Sequence, residues 1–217
     1  MTISKFKKFG LMTLAFGAFA LTSCEKEETT TPEEEYDHEV ITDVHLVFTN
    51  AADSTEVLEF HAQDPDGEGI QPLTVLDTIT LDTNKTYTLT FEILNTLEDD
   101  HHDHDHKMQG DEEGEDIAAE ILEEADEHQI FFGFSNDAFA NPMGDGNIDN
   151  ASDAINYNDQ DSQGNPIGLN TSWTTGSEVS NGSFRVVLQH QPGVKTATSS
   201  INDGDSDFDI TFVLNIN

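Results

Sequence analysis

From Thr86 to Ile93 the chain alternates strictly: Tyr87, Leu89, Phe91 and Ile93 are apolar, and Thr86, Thr88, Thr90 and Glu92 are polar. A period of two sends the two sets to opposite sides of a pleated strand, so the segment buries one face only. The pattern recurs in Val44, Leu46 and Phe48, in Leu58 and Phe60, in Phe184, Val186 and Leu188, and from Phe208 through Ile210, Phe212 and Leu214 to Ile216. Asp66-Gly67, Pro192-Gly193 and Asp203-Gly204 are turn signals between such runs. Further strands are predicted near 74–81, 129–135, 153–158 and 168–174.

About nine short, one-sided strands need a second sheet to cover their apolar faces. The expected fold is all-β, an immunoglobulin-like antiparallel β-sandwich, with uneven loop lengths arguing against a closed barrel. One interval, at about 97–128, breaks the alternation. It holds 15 acids against the single Lys107, and then Ile117, Ala118, Ile121, Leu122 and Ala125 recur at helical spacing. A polar loop over 98–114 and a short amphipathic helix over 115–127 are predicted there, with Glu115 and Asp116 at the positive end of the helix dipole.

The loop contains Glu98-Asp99-Asp100-His101-His102-Asp103-His104-Asp105-His106-Lys107, four histidines and five acids without an apolar residue. Imidazole nitrogen supported by carboxylate oxygen suits zinc, and also copper(II) and nickel. In an extended chain His102, His104 and His106 share one side. Ordering a loop around an ion costs entropy, which favours adaptable capture over a rigid catalytic centre. Glu120, Glu124 and His128 follow at i, i+4 and i+8, along one side of the helix if it reaches that far. The metal-ligating candidates are therefore His101, His102, His104, His106, Glu124 and His128; the competing reading is a hydrated loop on a helix with ordinary solvent-facing acids. His45 and His61 are expected to face solvent on strands. His190, in phase with Phe184, Val186 and Leu188, is expected to be a partly buried structural residue.

Four Asp-rich turns, at 64–68, 145–149, 159–164 and 203–207, offer alternating oxygen donors that could hold calcium. None has EF-hand spacing, and ordinary Asp/Gly turn chemistry explains them as well. No Gly-x-Ser-x-Gly elbow or His-Glu-x-x-His helix occurs, so no enzyme activity is expected.

The N-terminus carries Lys5, Lys7 and Lys8 ahead of an apolar run from Phe9 to Leu21 that closes on Leu21-Thr22-Ser23-Cys24. This reads as a secretory signal over 1–23, and its end resembles a bacterial lipobox, which makes Cys24 the lipidation site. As the lone cysteine it excludes an intrachain disulfide. Glu25-Lys26-Glu27-Glu28 resembles the signal that exports Bacteroidota lipoproteins to the cell surface. Residues 24–38, rich in Glu and Thr, read as an acylated flexible tether, and 39–217 as the folded domain. After removal of the signal, five basic residues against 44 acids give a formal charge of −39. That field excludes nucleic acid and bare anionic lipid as partners and attracts cations.

Gly168-Leu169-Asn170-Thr171-Ser172-Trp173-Thr174-Thr175-Gly176, the run Phe184 to Pro192, Asp205 to Ile210, and Asp126-Glu127-His128-Gln129 together resemble small Bacteroidota lipoproteins often labelled "type 1 periplasmic binding fold". Similar proteins sit beside TonB-dependent receptors. The label implies a two-lobed α/β fold, from which this strand-rich chain departs; the receptor neighbourhood is what the resemblance contributes. The resulting expectation is a lipid-anchored outer-membrane or surface lipoprotein that captures divalent metal, zinc first, and assists a TonB-dependent receptor. The alternatives are a surface module binding a protein or glycan, and a calcium-stabilised structural domain.

Overall fold

The computed structural model describes residues 39–64, 73–97, 114–148 and 154–217. Its elements in chain order are β1 (Asp43–Asn50), β2 (Val57–Gln63), β3 (Thr74–Val75), β4 (Thr78–Leu81), β5 (Thr86–Asn95), β6 (Glu115–Asp116), α1 (Ile117–Glu123), β7 (His128–Phe134), β8 (Phe139–Asn141), β9 (Asn170–Thr175), β10 (Val179–His190) and β11 (Asp205–Ile216). They form two sheets, one ordered β3-β2-β1-β5-β9-β8 with β6 on the end of β5, the other ordered β4-β11-β10-β7. The chain is a β-sandwich.

Pairing is antiparallel except between β4 and β11, which run parallel, a departure from the all-antiparallel expectation. Antiparallel pairing sets the start of β7 beside the end of β10, so the β5–β7 and β10–β11 connections reach the second sheet at the same end.

The alternating residues meet between the sheets. Val44, Leu46, Phe48, Tyr87 and Leu89 of the first sheet and Phe132, Phe184, Phe212 and Leu214 of the second are all buried. Trp173 on β9 reaches across to Phe184 and Phe132 on the facing sheet, with ring centroids 5.1 and 5.2 Å apart and edge-to-face geometries that suit the ring quadrupoles. Its indole N–H, buried with the ring, donates to Thr171 Oγ1 at 2.7 Å. Phe134 and Phe139 complete the aromatic cluster.

A smaller apolar cluster, Phe131, Val187, Ile148 and Ile201, lies on the outer face of the second sheet. The segment around Gly146 closes over it and along the free edge of β7: Phe134 N–H donates to Asp145 O, and Asn147 N–H donates to Phe132 O. Gly146, at φ +103, lies so near that a Cβ would stand 2.0 Å from Phe132 O. A covered edge offers no template for pairing with another chain.

Three further sequence expectations change. The helix ends at Glu123, short of the predicted 127, because the next residues turn so that β7 can start at His128. Of the strand expected at 153–158, only an isolated bridge between Tyr157 and Thr171 occurs among the described residues. His45 is buried rather than solvent-facing, since His61 and Glu92 flank it across neighbouring strands. Among the described residues no helix is long and apolar enough to cross a membrane.

Candidate metal centre

Asp116 caps α1, its carboxylate accepting from Ala119 N–H at 3.1 Å. Ile117 and Ile121 anchor one side of this helix in the core. Past its other end, the carbonyls of the turn leading into β7 meet donors from outside that turn. His128 Nδ1 donates to Glu124 O at 3.2 Å, Lys195 Nζ to Ala125 O at 2.5 Å, and Gln191 N–H to Glu127 O at 2.5 Å. The turn from helix to β7 is thereby fixed.

His128 starts β7, His190 ends β10, and the two are direct cross-strand partners. Both lie in phase with the core-facing residues of their strands, at the end where the β5–β7 and β10–β11 connections meet. Their rings stack with centroids 4.6 Å apart and planes 7° from parallel. Glu124 joins them, so that one ligand atom from each of Glu124, His128 and His190 lies within 4.8 Å of the others. Two more carboxylates adjoin: Glu127 Oε2 is 3.5 Å from His190 Nε2, and Asp207 Oδ2 is 4.0 Å from His128 Nε2. Asp207 falls where the β10–β11 register slips between Leu188 and Gln189, a bulge that redirects a side chain.

The protonation of His128 follows from its partner. A carbonyl only accepts, so Nδ1 carries the hydrogen and Nε2 the lone pair. Burial pushes the ring down to about 4, assisted by the neighbouring His190 and Lys195 charges and opposed by the bond to Glu124 O. The imidazole is therefore neutral at pH 7. Its Nε2 is buried with no hydrogen-bond partner among the described residues. A backbone carbonyl behind one nitrogen and an open lone pair on the other is how ligating histidines are oriented.

Lys195 brings a resident positive charge close by. Its wholly buried side chain lies 3.5 Å from Asp161 Oδ2, and burial lowers its pKa, with Asp161 opposing. Asp161 also accepts from Gln163 N–H, Asn165 N–H and Asn165 Nδ2 at 2.8, 2.8 and 3.0 Å, and Asp159 accepts from Gly168 and Asn170 N–H. In this Asp-rich turn, therefore, the carboxylates engage backbone amides and an ammonium.

Of the ligand candidates read from the sequence, Glu124 and His128 come together; His101, His102, His104 and His106 lie outside the described residues, as does Cys24. Glu120 turns instead towards Glu39 and Glu115. Burial and these two neighbours push its carboxyl up to about 7. His190 enters the cluster, where sequence reasoning assigned it only a structural place. The available signal was its phase: an imidazole at the core-facing end of an apolar strand must meet whatever ends the strand beside it.

A β-sandwich with a histidine-carboxylate cluster at one end is the class that fold and site define. Neither the family models, nor the curated proteins, nor the solved structures contain a match to this chain.

Proposed function

We propose that this protein captures a borderline divalent cation, zinc first, at Glu124, His128 and His190, with Asp207 and Glu127 at hand as further oxygen ligands. The observation that carries the reading is the buried, unpartnered Nε2 of His128 inside a group of ligand atoms within 4.8 Å of one another. Metal–nitrogen and metal–oxygen bonds of about 2.0–2.2 Å at tetrahedral angles place ligand atoms roughly 3.4 Å apart. From separations of up to 4.8 Å the cluster must contract by up to about 1.4 Å, which side-chain rotation supplies. An ion lies in the plane of each ring that ligates it, and parallel stacked rings cannot share one; His190, the more exposed ring, turns on binding.

The acidic surface raises the local concentration of cations, and the histidine tract, separated from α1 by ten residues of sequence, supplies adaptable first contacts. With the lipobox-like Cys24 and the resemblance to lipoproteins beside TonB-dependent receptors, the reading extends to an outer-membrane lipoprotein that hands metal to such a receptor.

Calorimetry of the full chain with zinc is the test, on wild type, His190→Ala, Glu124→Gln and a variant with His101, His102, His104 and His106 replaced by Asn. The expected result is a loss of at least tenfold in affinity for His190→Ala. Unchanged affinity and stoichiometry in His190→Ala and Glu124→Gln would remove the cluster from the proposal. Absence of zinc binding in the wild type would end it.

A further inference from the structure

The outer face of the first sheet carries a second pair of imidazoles. His45 on β1 lies directly opposite His61 on β2, and Glu92 on β5 lies opposite His45 on its other side, so three adjacent strands present His61, His45 and Glu92 in a row. The two rings meet edge to face, with centroids 4.5 Å apart and planes at 85°. Each is held at Nδ1 by a carboxylate: His45 by Glu92 at 3.3 Å, His61 by Asp77 at 2.7 Å. Asp77 also accepts the His61 backbone N–H at 2.9 Å, which fixes it doubly.

A carboxylate accepts, so in the neutral rings both hydrogens reside on Nδ1 and both Nε2 atoms offer lone pairs. Outer-shell carboxylates of this kind orient ligating histidines and raise their basicity. The spacing fits as well. With a metal–nitrogen bond of about 2.0–2.1 Å, each ring centroid sits roughly 3.2 Å from the ion, and two imidazoles about 90–110° apart at the ion have centroids about 4.5–5.2 Å apart. An ion shared by two rings lies on the line where their planes intersect; in the edge-to-face contact that line runs through one ring, so one of the two imidazoles must turn to bring both Nε2 atoms to the ion, as His190 must at the other pair. The His45 side chain is buried, so an ion reaches the pair past the His61 side chain, which is 35 % exposed.

We propose that His45 and His61 form a second, labile divalent-cation site on the outside of the sandwich, separate from the Glu124 cluster, with two imidazole nitrogens as protein ligands and water in the remaining positions. Two nitrogen ligands make it an exchange site rather than a store, and copper(II) should bind more tightly than nickel(II) or zinc.

The test is residue-resolved NMR of the histidine rings in the full chain, titrated with copper(II) chloride and separately with zinc chloride. Copper added beyond what the other histidines take up should broaden His45 and His61 together, and zinc should shift both Nε2 resonances. His61→Ala should weaken the response at His45 at least tenfold, and Asp77→Asn should weaken it about tenfold. His61→Gln, read beside circular dichroism, keeps the result interpretable should the alanine variant fold poorly. No response at His45 at metal concentrations that saturate the other histidines would overturn the site, as would an undiminished response in His61→Ala or His61→Gln. His190→Ala leaves this pair intact, so its response survives a failure of the Glu124 cluster.

Discussion

Replacing Lys195 by Met tests what holds the candidate centre in place. The thioether keeps most of the apolar stem but removes the bond to Ala125 O and the ion pair with Asp161 at 3.5 Å. A hydrogen bond from a charged donor is worth about 1.5–3 kcal/mol, and breaking a buried ion pair costs about 3–5 kcal/mol when it leaves a bare charge. Asp161 is not left bare, because it keeps its three bonds from Gln163 and Asn165. Removal of Lys195 also abolishes that residue's own desolvation cost. The expected loss is thus about 2–3 kcal/mol, below the range for an orphaned ion. Asp161→Asn should cost more, since it strands an ammonium in a site already unfavourable to it, and the double variant should cost less than the sum. Urea unfolding followed by the fluorescence of Trp173, the sole tryptophan, gives the readout. With a slope of about 1.5–2 kcal/mol per molar urea, Lys195→Met lowers the midpoint by about 1–2 M. A cost under about 0.5 kcal/mol, or strictly additive costs, would refute the reasoning.

Acid should destabilise the metal-free protein through His128: the unfolded ring takes up its proton near 6.5 and the folded ring only near 4. Its contribution is present above pH 6.5 and lost as pH falls towards 4, a total of about 3 kcal/mol; His128→Asn, whose amide can still donate to Glu124 O, should flatten that slope in urea melts. Glu120 has the opposite sign, its folded pKa being raised from 4.5 to about 7. Stability should fall as pH rises through that window, and Glu120→Gln should be more stable than wild type above pH 7. Gly204→Ala should be severely destabilising and should displace His190, because at φ +87 a Cβ would stand 2.0 Å from His190 O; thermal melting and zinc affinity, both reduced, check it.

Where alternation was long, the strands were readable residue by residue: Thr86–Asn95 and Asp205–Ile216 bury the face their spacing indicates. Short segments escaped. β8 spans three residues and β6 two, too few to show a period, and both exist because a neighbouring strand offers open hydrogen bonds. The helix was legible from Ile117, Ile121 and its acidic start, but its end was not, since a tertiary partner seventy residues away, Lys195, donates to the carbonyl of Ala125 in the turn that follows.

By itself the sequence determined that the chain has one-sided strands, that these must pair into facing sheets, and that a charged helical insertion interrupts them, because periodicity and burial are local properties of consecutive residues. Only the tertiary structure decided which histidines meet. His128 and His190, or His45 and His61, become neighbours through strand register, and the Asp207 bulge and the Glu124 turn depend on contacts between segments far apart in the chain. No local pattern encodes those distances.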